Sequence, residues 1–146
     1  MPTAARLFAA LGLAAVGVLA AEAHRGLMPP HAVWGWESAV FAGLGLLTGW
    51  SVLGPRVGRG YGLAMATGLT AAVTMLIAAS FVFAVHEMVQ RALMRRYGDA
   101  WEATLAVLEI MLEHAARMGD VRFIATLVLG GLAAGLIAEA AGRLWR

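Results

Sequence analysis

Four apolar blocks, each about as long as a membrane span, divide this sequence. The first covers 4–23, with no charge between Leu7 and Ala21, and about 20 apolar residues cross roughly 30 Å of hydrocarbon as a helix. Arg6, the apolar stretch and Ala21-Glu22-Ala23 imitate a secretory signal with its small-residue cleavage site. Further spans follow at once, so the block reads as a retained anchor. Pro29-Pro30 then stops any helix. The second block covers 35–53. Trp34 and Trp36 precede it and Trp50 lies near its far end. Trp34 to Trp50 is about 24 Å along a helix, which suits tryptophans marking the two interfaces of one span. The third block, 63–85, carries no charge. Thr67, Thr70 and Thr74 fall on one face of it, a stripe that predicts helix packing and hydroxyl bonds back to carbonyls. The fourth block is 123–141, and Arg143, Trp145 and Arg146 follow it as an interfacial anchor.

Between the third and fourth blocks the pattern changes. His86 to Tyr97 continues as a charged helix until Gly98-Asp99. From Trp101 to Met118 the period is helical and amphipathic. Trp101, Leu105, Leu108, Leu112 and Ala115 share one face, while Glu102, Glu109, Glu113 and Arg117 cluster on another. So many charges suit a helix lying on a surface better than a span. The polar face is acidic where lipid-surface helices are basic, which favours packing on protein. The pattern therefore predicts an all-α, integral membrane four-helix bundle in one domain, with an amphipathic helical segment over 86–118 between the third and fourth spans.

Composition agrees. The chain has 146 residues, 61% apolar and 14% charged. Soluble domains carry about 25% charged residues, so the polar surface here is too small to cover a water-soluble body. The lipid bilayer is the expected partner. There is no cysteine, which removes disulfides and thiolate metal sites. The arginines are spread over several loops without interleaved aromatics, so no nucleic-acid footprint is present.

Candidate chemistry is sparse. "GPRVGRGYG", 54–62, has the glycines of a phosphate-binding loop. It lacks the Lys-Ser/Thr of a Walker loop and follows no strand, so it reads as the turn between two spans. Its exposed N–H groups, a helix start and the arginines Arg56 and Arg59 still make an oxyanion or lipid-phosphate contact a candidate. All four histidines fall at one end of the predicted bundle. His24, His86 and Glu87 form a candidate metal or metalloid set. The competing account is interfacial histidines and ordinary Glu87–Arg91 and Glu113–Arg117 pairs. Glu139 is an intramembrane carboxylate, with Arg143 four residues on as a structural partner. Gly45–Gly49 and Gly131–Gly135 are two GxxxG pairs, suited to close helix packing inside the bundle or in a homo-oligomer. No nucleophile–base arrangement is evident. The expectation is a protein without enzymatic activity or cofactor.

"MPTAARL" at 1–7, "GLGLLTGW" at 43–50, "RVGRGYG" at 56–62, "HEMVQRAL" at 86–93, "WEATLAVLEI" at 101–110 and "AEAAGRLWR" at 138–146 together resemble the TrgA-like family. These are small bacterial membrane proteins associated with tellurite (tellurium) resistance. The resemblance covers nearly the whole chain and implies a phenotype, without a catalytic motif. It implies an inner-membrane protein linked to oxyanion resistance or envelope stress. The alternative reading is an accessory or stabilising subunit of a larger membrane complex.

Four spans place both termini on one side, together with Arg6, Arg56, Arg59, Arg143 and Arg146. Arg25, Arg91, Arg95, Arg96, Arg117 and Arg122 fall on the other. The first group sits in short segments, which predicts cytoplasmic termini. The margin is narrow, so replacing Arg56 and Arg59 by Gln should shift a topology reporter fused after Arg146. Replacing both by Lys should leave it in place, because retention depends on charge.

Overall fold

The computed structural model describes residues 3–26, 35–94, 99–117 and 119–144. Among them the chain is helical without strands: α1 (Thr3–Arg25), α2 (Glu37–Thr48), α3 (Tyr61–Leu93), α4 (Ala100–Arg117) and α5 (Val121–Leu144). Four segments are long and apolar enough to cross a membrane: Ala4–Arg25, Glu37–Arg56, Tyr61–Leu93 and Val121–Leu144. The four expected spans are thus present. His31, Trp34, Arg95, Arg96, Trp145 and Arg146 lie outside the described residues, as does the Arg117 side chain.

The second span is less regular than its pattern. After Thr48 the helix widens into a π turn, Gly49–Leu53, in which the Gly54 N–H donates to the Gly49 carbonyl. A tight turn, Gly54–Arg56, ends it. Pro55 supplies the reason. It has no N–H, and in an α-turn its ring would collide with the carbonyl four residues back. The third span runs on past the expected end at 85 as one 33-residue helix, about 50 Å long. That exceeds the roughly 30 Å of hydrocarbon, so the charged end of α3 emerges from it.

Glycines set the packing. α1 and α2 run antiparallel in near backbone contact. A Cβ on Gly45 would stand 2.5 Å from the Leu13 carbonyl oxygen, one on Gly49 2.5 Å from that of Ala9, and one on Gly17 2.5 Å from that of Phe41. α3 and α5 meet the same way. A Cβ on Gly68 would overlap the Gly131 carbonyl, and one on Gly135 would overlap that of Ala64. α1 closes on α5 where Val16 covers Gly130 and Ala134 faces Gly12. Both GxxxG pairs are therefore used inside the bundle. Phe41, Phe83, Phe123, Leu13, Leu53 and Met75 fill the core between them. Thr67, Thr70 and Thr74 donate to the carbonyls of Leu63, Ala66 and Thr70, as the stripe predicts.

α4 packs on the emergent end of α3, but with a face other than the expected one. Ala106, Val107, Ile110 and His114 are buried, while Trp101, Leu105, Leu108 and Leu112 point outward. The seam is formed by Val107, Ile110 and Met111 against Ala84, Val85 and Met88. The small Ala84 and Ala106 bring the two helices close. The larger apolar side chains of α4 are left on its outward side.

This packing separates two kinds of glycine. Gly68→Ala should destabilise the bundle by about 1–3 kcal/mol, because carbonyl and backbone atoms stand in the way. Gly43, in α2 with nothing within 4 Å of a built Cβ, should gain roughly 0.5–1 kcal/mol as Ala through helix propensity. Thermal unfolding in mild detergent reads both.

Candidate functional site

The loop between the second and third spans binds an anion, and the anion belongs to the chain itself. Gly58 and Gly60 have φ of 93° and 111°, values open to glycine at little cost. These conformations turn two N–H groups towards α5. Gly58 N–H donates to Glu139 Oε2 at 2.6 Å and Gly60 N–H donates to Oε1 at 3.1 Å. Arg143 Nε, one turn on, donates to the same Oε1 at 3.1 Å. Glu139 is wholly buried. Gly60 is also the N-cap of α3, so the carboxylate sits against the positive end of that helix dipole. The Arg143 guanidinium lies 4.3 Å above the Tyr61 ring centroid. Three donors, a helix start and a stacked arginine thus tie the end of α5 to the start of α3.

Arg56 and Arg59, the residues expected to contact an oxyanion, stand around this cradle without entering it. Arg56 Nη1 donates to the Val52 carbonyl at 2.9 Å, and Arg59 is exposed. Arg6 packs its side chain over Gly54, where a Cβ would come 2.7 Å from Arg6 Cγ. The loop's N–H groups meet Glu139 in place of an external anion. The GxxxG glycines and the Glu139–Arg143 pair fall where the sequence places them.

The expected metal set is not brought together. Among the described residues no three His, Cys, Asp or Glu side chains converge to hold a metal ion. His24 and Glu37, each 2% exposed, face one another at 3.7 Å from Nε2 to Oε1. The His24 ring also lies 5.7 Å from Phe123. His86 meets the Trp36 ring edge-on at 4.8 Å. Glu87 belongs to a third group, bonded to Arg91 at 2.6 Å and 3.9 Å from His114, with Glu113 3.9 Å from Arg91. The physical reason is local. Each of the described histidines, His24, His86 and His114, already sits against a neighbouring ring or acid. This group also joins α3 to α4. Glu22 takes the Arg25 guanidinium at 2.9 Å and Ser38 Oγ at 3.4 Å.

Sequence reasoning missed Glu37. Its signal was present: it is the one charged residue between Trp36 and Arg56, placed in the first turn of α2, where the helix dipole favours an acid.

The arrangement is that of a helical bundle with four apolar spans, braced by charge at both ends. Compared with family models, with curated proteins and with solved structures, the chain matches none.

Glu139→Gln keeps the size of the side chain but removes the charge that two N–H groups and Arg143 share. Hydrogen bonds to a charged group are worth roughly 1.5–3 kcal/mol each, so this variant should lose about 2 kcal/mol or more. Arg143 is half exposed, and Arg143→Gln should cost under about 1 kcal/mol. Denaturation of the two variants in the same detergent tests the order.

Proposed function

We propose that this chain is a multi-pass, non-catalytic protein of the bacterial cytoplasmic membrane that supports tolerance of tellurite or a related envelope stress. Its termini face the cytoplasm. The TrgA-like resemblance of the whole chain supplies the phenotype. The observation that favours a non-catalytic role is the Glu139 cradle. Both oxygens of a wholly buried carboxylate are engaged by donors of the same chain, which suits a brace between α3 and α5. Arg143 bonds that carboxylate, Arg56 and Arg59 belong to the loop that cradles it and Arg6 packs over Gly54 of the same loop, all at the end that holds both termini, which supports the orientation.

A second reading, an accessory subunit of a larger membrane complex, is favoured by α4. Trp101, Leu105, Leu108 and Leu112 leave a broad apolar face outward on a helix whose flank carries Glu102, Glu109 and Glu113.

Deleting the gene should lower the tellurite concentration that stops growth, and the wild-type gene should restore it. Unchanged sensitivity together with unchanged tellurite uptake removes the first reading. Purification from membranes in mild detergent tests the second: a monomer or homodimer with no companion protein rejects it.

A further inference from the structure

An apolar groove of about 440 Å³ opens on the side of the bundle between α3, α4 and α5. Leu69, Val73, Ile77, Ile124, Val128 and Leu112 belong to its wall. Its one hydroxyl, on Ser80, donates to the Leu76 carbonyl at 2.9 Å. The groove therefore presents chiefly hydrocarbon to whatever lies in it. Val73, Ile77, Ile124 and Val128 are also outward-facing residues of two spans, so the surrounding medium is lipid.

Its length selects the occupant. Along α3 the wall runs from Leu69 to Ser80, about 16 Å at 1.5 Å per residue. That is close to half of the roughly 30 Å hydrocarbon core, the depth of one leaflet. A partner helix that spans the membrane would need a seam twice as long. It would also favour small residues for close approach, whereas Leu69, Val73, Leu76, Ile77, Ile124 and Val128 put branched side chains along this wall and the GxxxG pairs are already covered. An acyl chain of a bilayer lipid needs neither.

The groove ends beside Gly119, at the turn between α4 and α5. Arg122, in the first turn of α5, is exposed there. The acid of that turn, Asp120, has Oδ1 occupied by the Arg122 backbone N–H at 2.7 Å. Arg122 is thus an exposed cation three residues from Gly119, at one end of a leaflet-deep groove. Leu112 lines the groove and also belongs to the outward apolar face of α4, so that face is continuous with the groove mouth.

We infer that this groove is a phospholipid site, which takes one acyl chain against α3 and α5 and sets an anionic phosphate headgroup at Arg122. The site is separate from the Glu139 cradle and does not depend on the tellurite phenotype.

Native mass spectrometry of the protein released from nanodiscs of equal phosphatidylcholine and phosphatidylglycerol tests the inference. The wild-type chain should carry a single lipid adduct enriched in phosphatidylglycerol. Ala115 lines the groove from α4, and Ala115→Trp should fill it and reduce the adduct about tenfold, as overpacking of a fitted cavity does. Ile77→Phe, at an outward position where the fold tolerates bulk, should reduce it in the same direction. Arg122→Gln should keep the adduct but lose its preference for phosphatidylglycerol. An adduct that survives in both filling variants overturns the site, and so does a wild-type chain with no adduct. Crosslinks that place a second protein helix in the groove overturn it too.

Discussion

Backbone-to-backbone contact between helices is the constraint from which the rest of this bundle follows. In hydrocarbon, apolar side chains gain nothing by leaving lipid, and helices associate through close packing. Here the closest approaches all occur at glycine: Gly17, Gly45 and Gly49 between α1 and α2, and Gly68, Gly131 and Gly135 between α3 and α5. Gly12 and Gly130 complete the ring between α1 and α5. With the helices this near, alanines make up much of the centre, and Phe41, Phe83, Phe123, Leu13, Leu53 and Met75 are its large fully buried side chains. The hydroxyls of the third span turn back onto their own helix. Most charged groups are consequently confined to the two ends.

The ends differ in character. At one, a single carboxylate is held by two backbone N–H groups and Arg143. At the other, acids and histidines pair off within short distances, and one pair, His24 with Glu37, is buried at the junction of α1, α2 and Phe123 of α5. The first end couples α5 to α3 through a loop, whereas the second couples α1 to α2 and α3 to α4 through side chains. At the second end Arg91 bridges Glu87 and Glu113, so removing one of those acids leaves it the other. Removing Glu139 leaves two glycine N–H groups and an arginine without their common acceptor, and a buried donor left unmade costs more than a bond is worth net.

Span number, fold class and the glycine seams were legible in the sequence because each rests on a local pattern: about twenty apolar residues, or two glycines four apart. Three features were not legible. The π turn at Gly49–Leu53 arises from a proline at a helix end, and periodicity does not register it. The orientation of α4 was misread because its apolar arc is wide, extending from Trp101 and Leu112 round to Val107 and Ile110. The small and β-branched side of that arc faces α3 and the large side faces out. The grouping of the histidines depended on which rings and acids met them across helices, and spacing along one chain carries no record of that. Glu139 was legible as a paired intramembrane acid, but its principal partners lie some 80 positions away in sequence.

The loop at 54–62 shows why motif and context must be read together. Glycines with positive φ that direct N–H groups into one concavity form an anion cradle wherever they occur. In a nucleotide-binding fold a strand and a helix leave that cradle open, and the phosphate arrives from outside. Here α5 approaches α3 to backbone distance at Gly135 and Ala64, only four residues from Glu139 and from Gly60. That approach carries the Glu139 carboxylate into the cradle and closes it to solvent. The same chemistry that would bind a ligand thus serves as an internal strap, and the glycine seam between α3 and α5 determines which of the two it becomes.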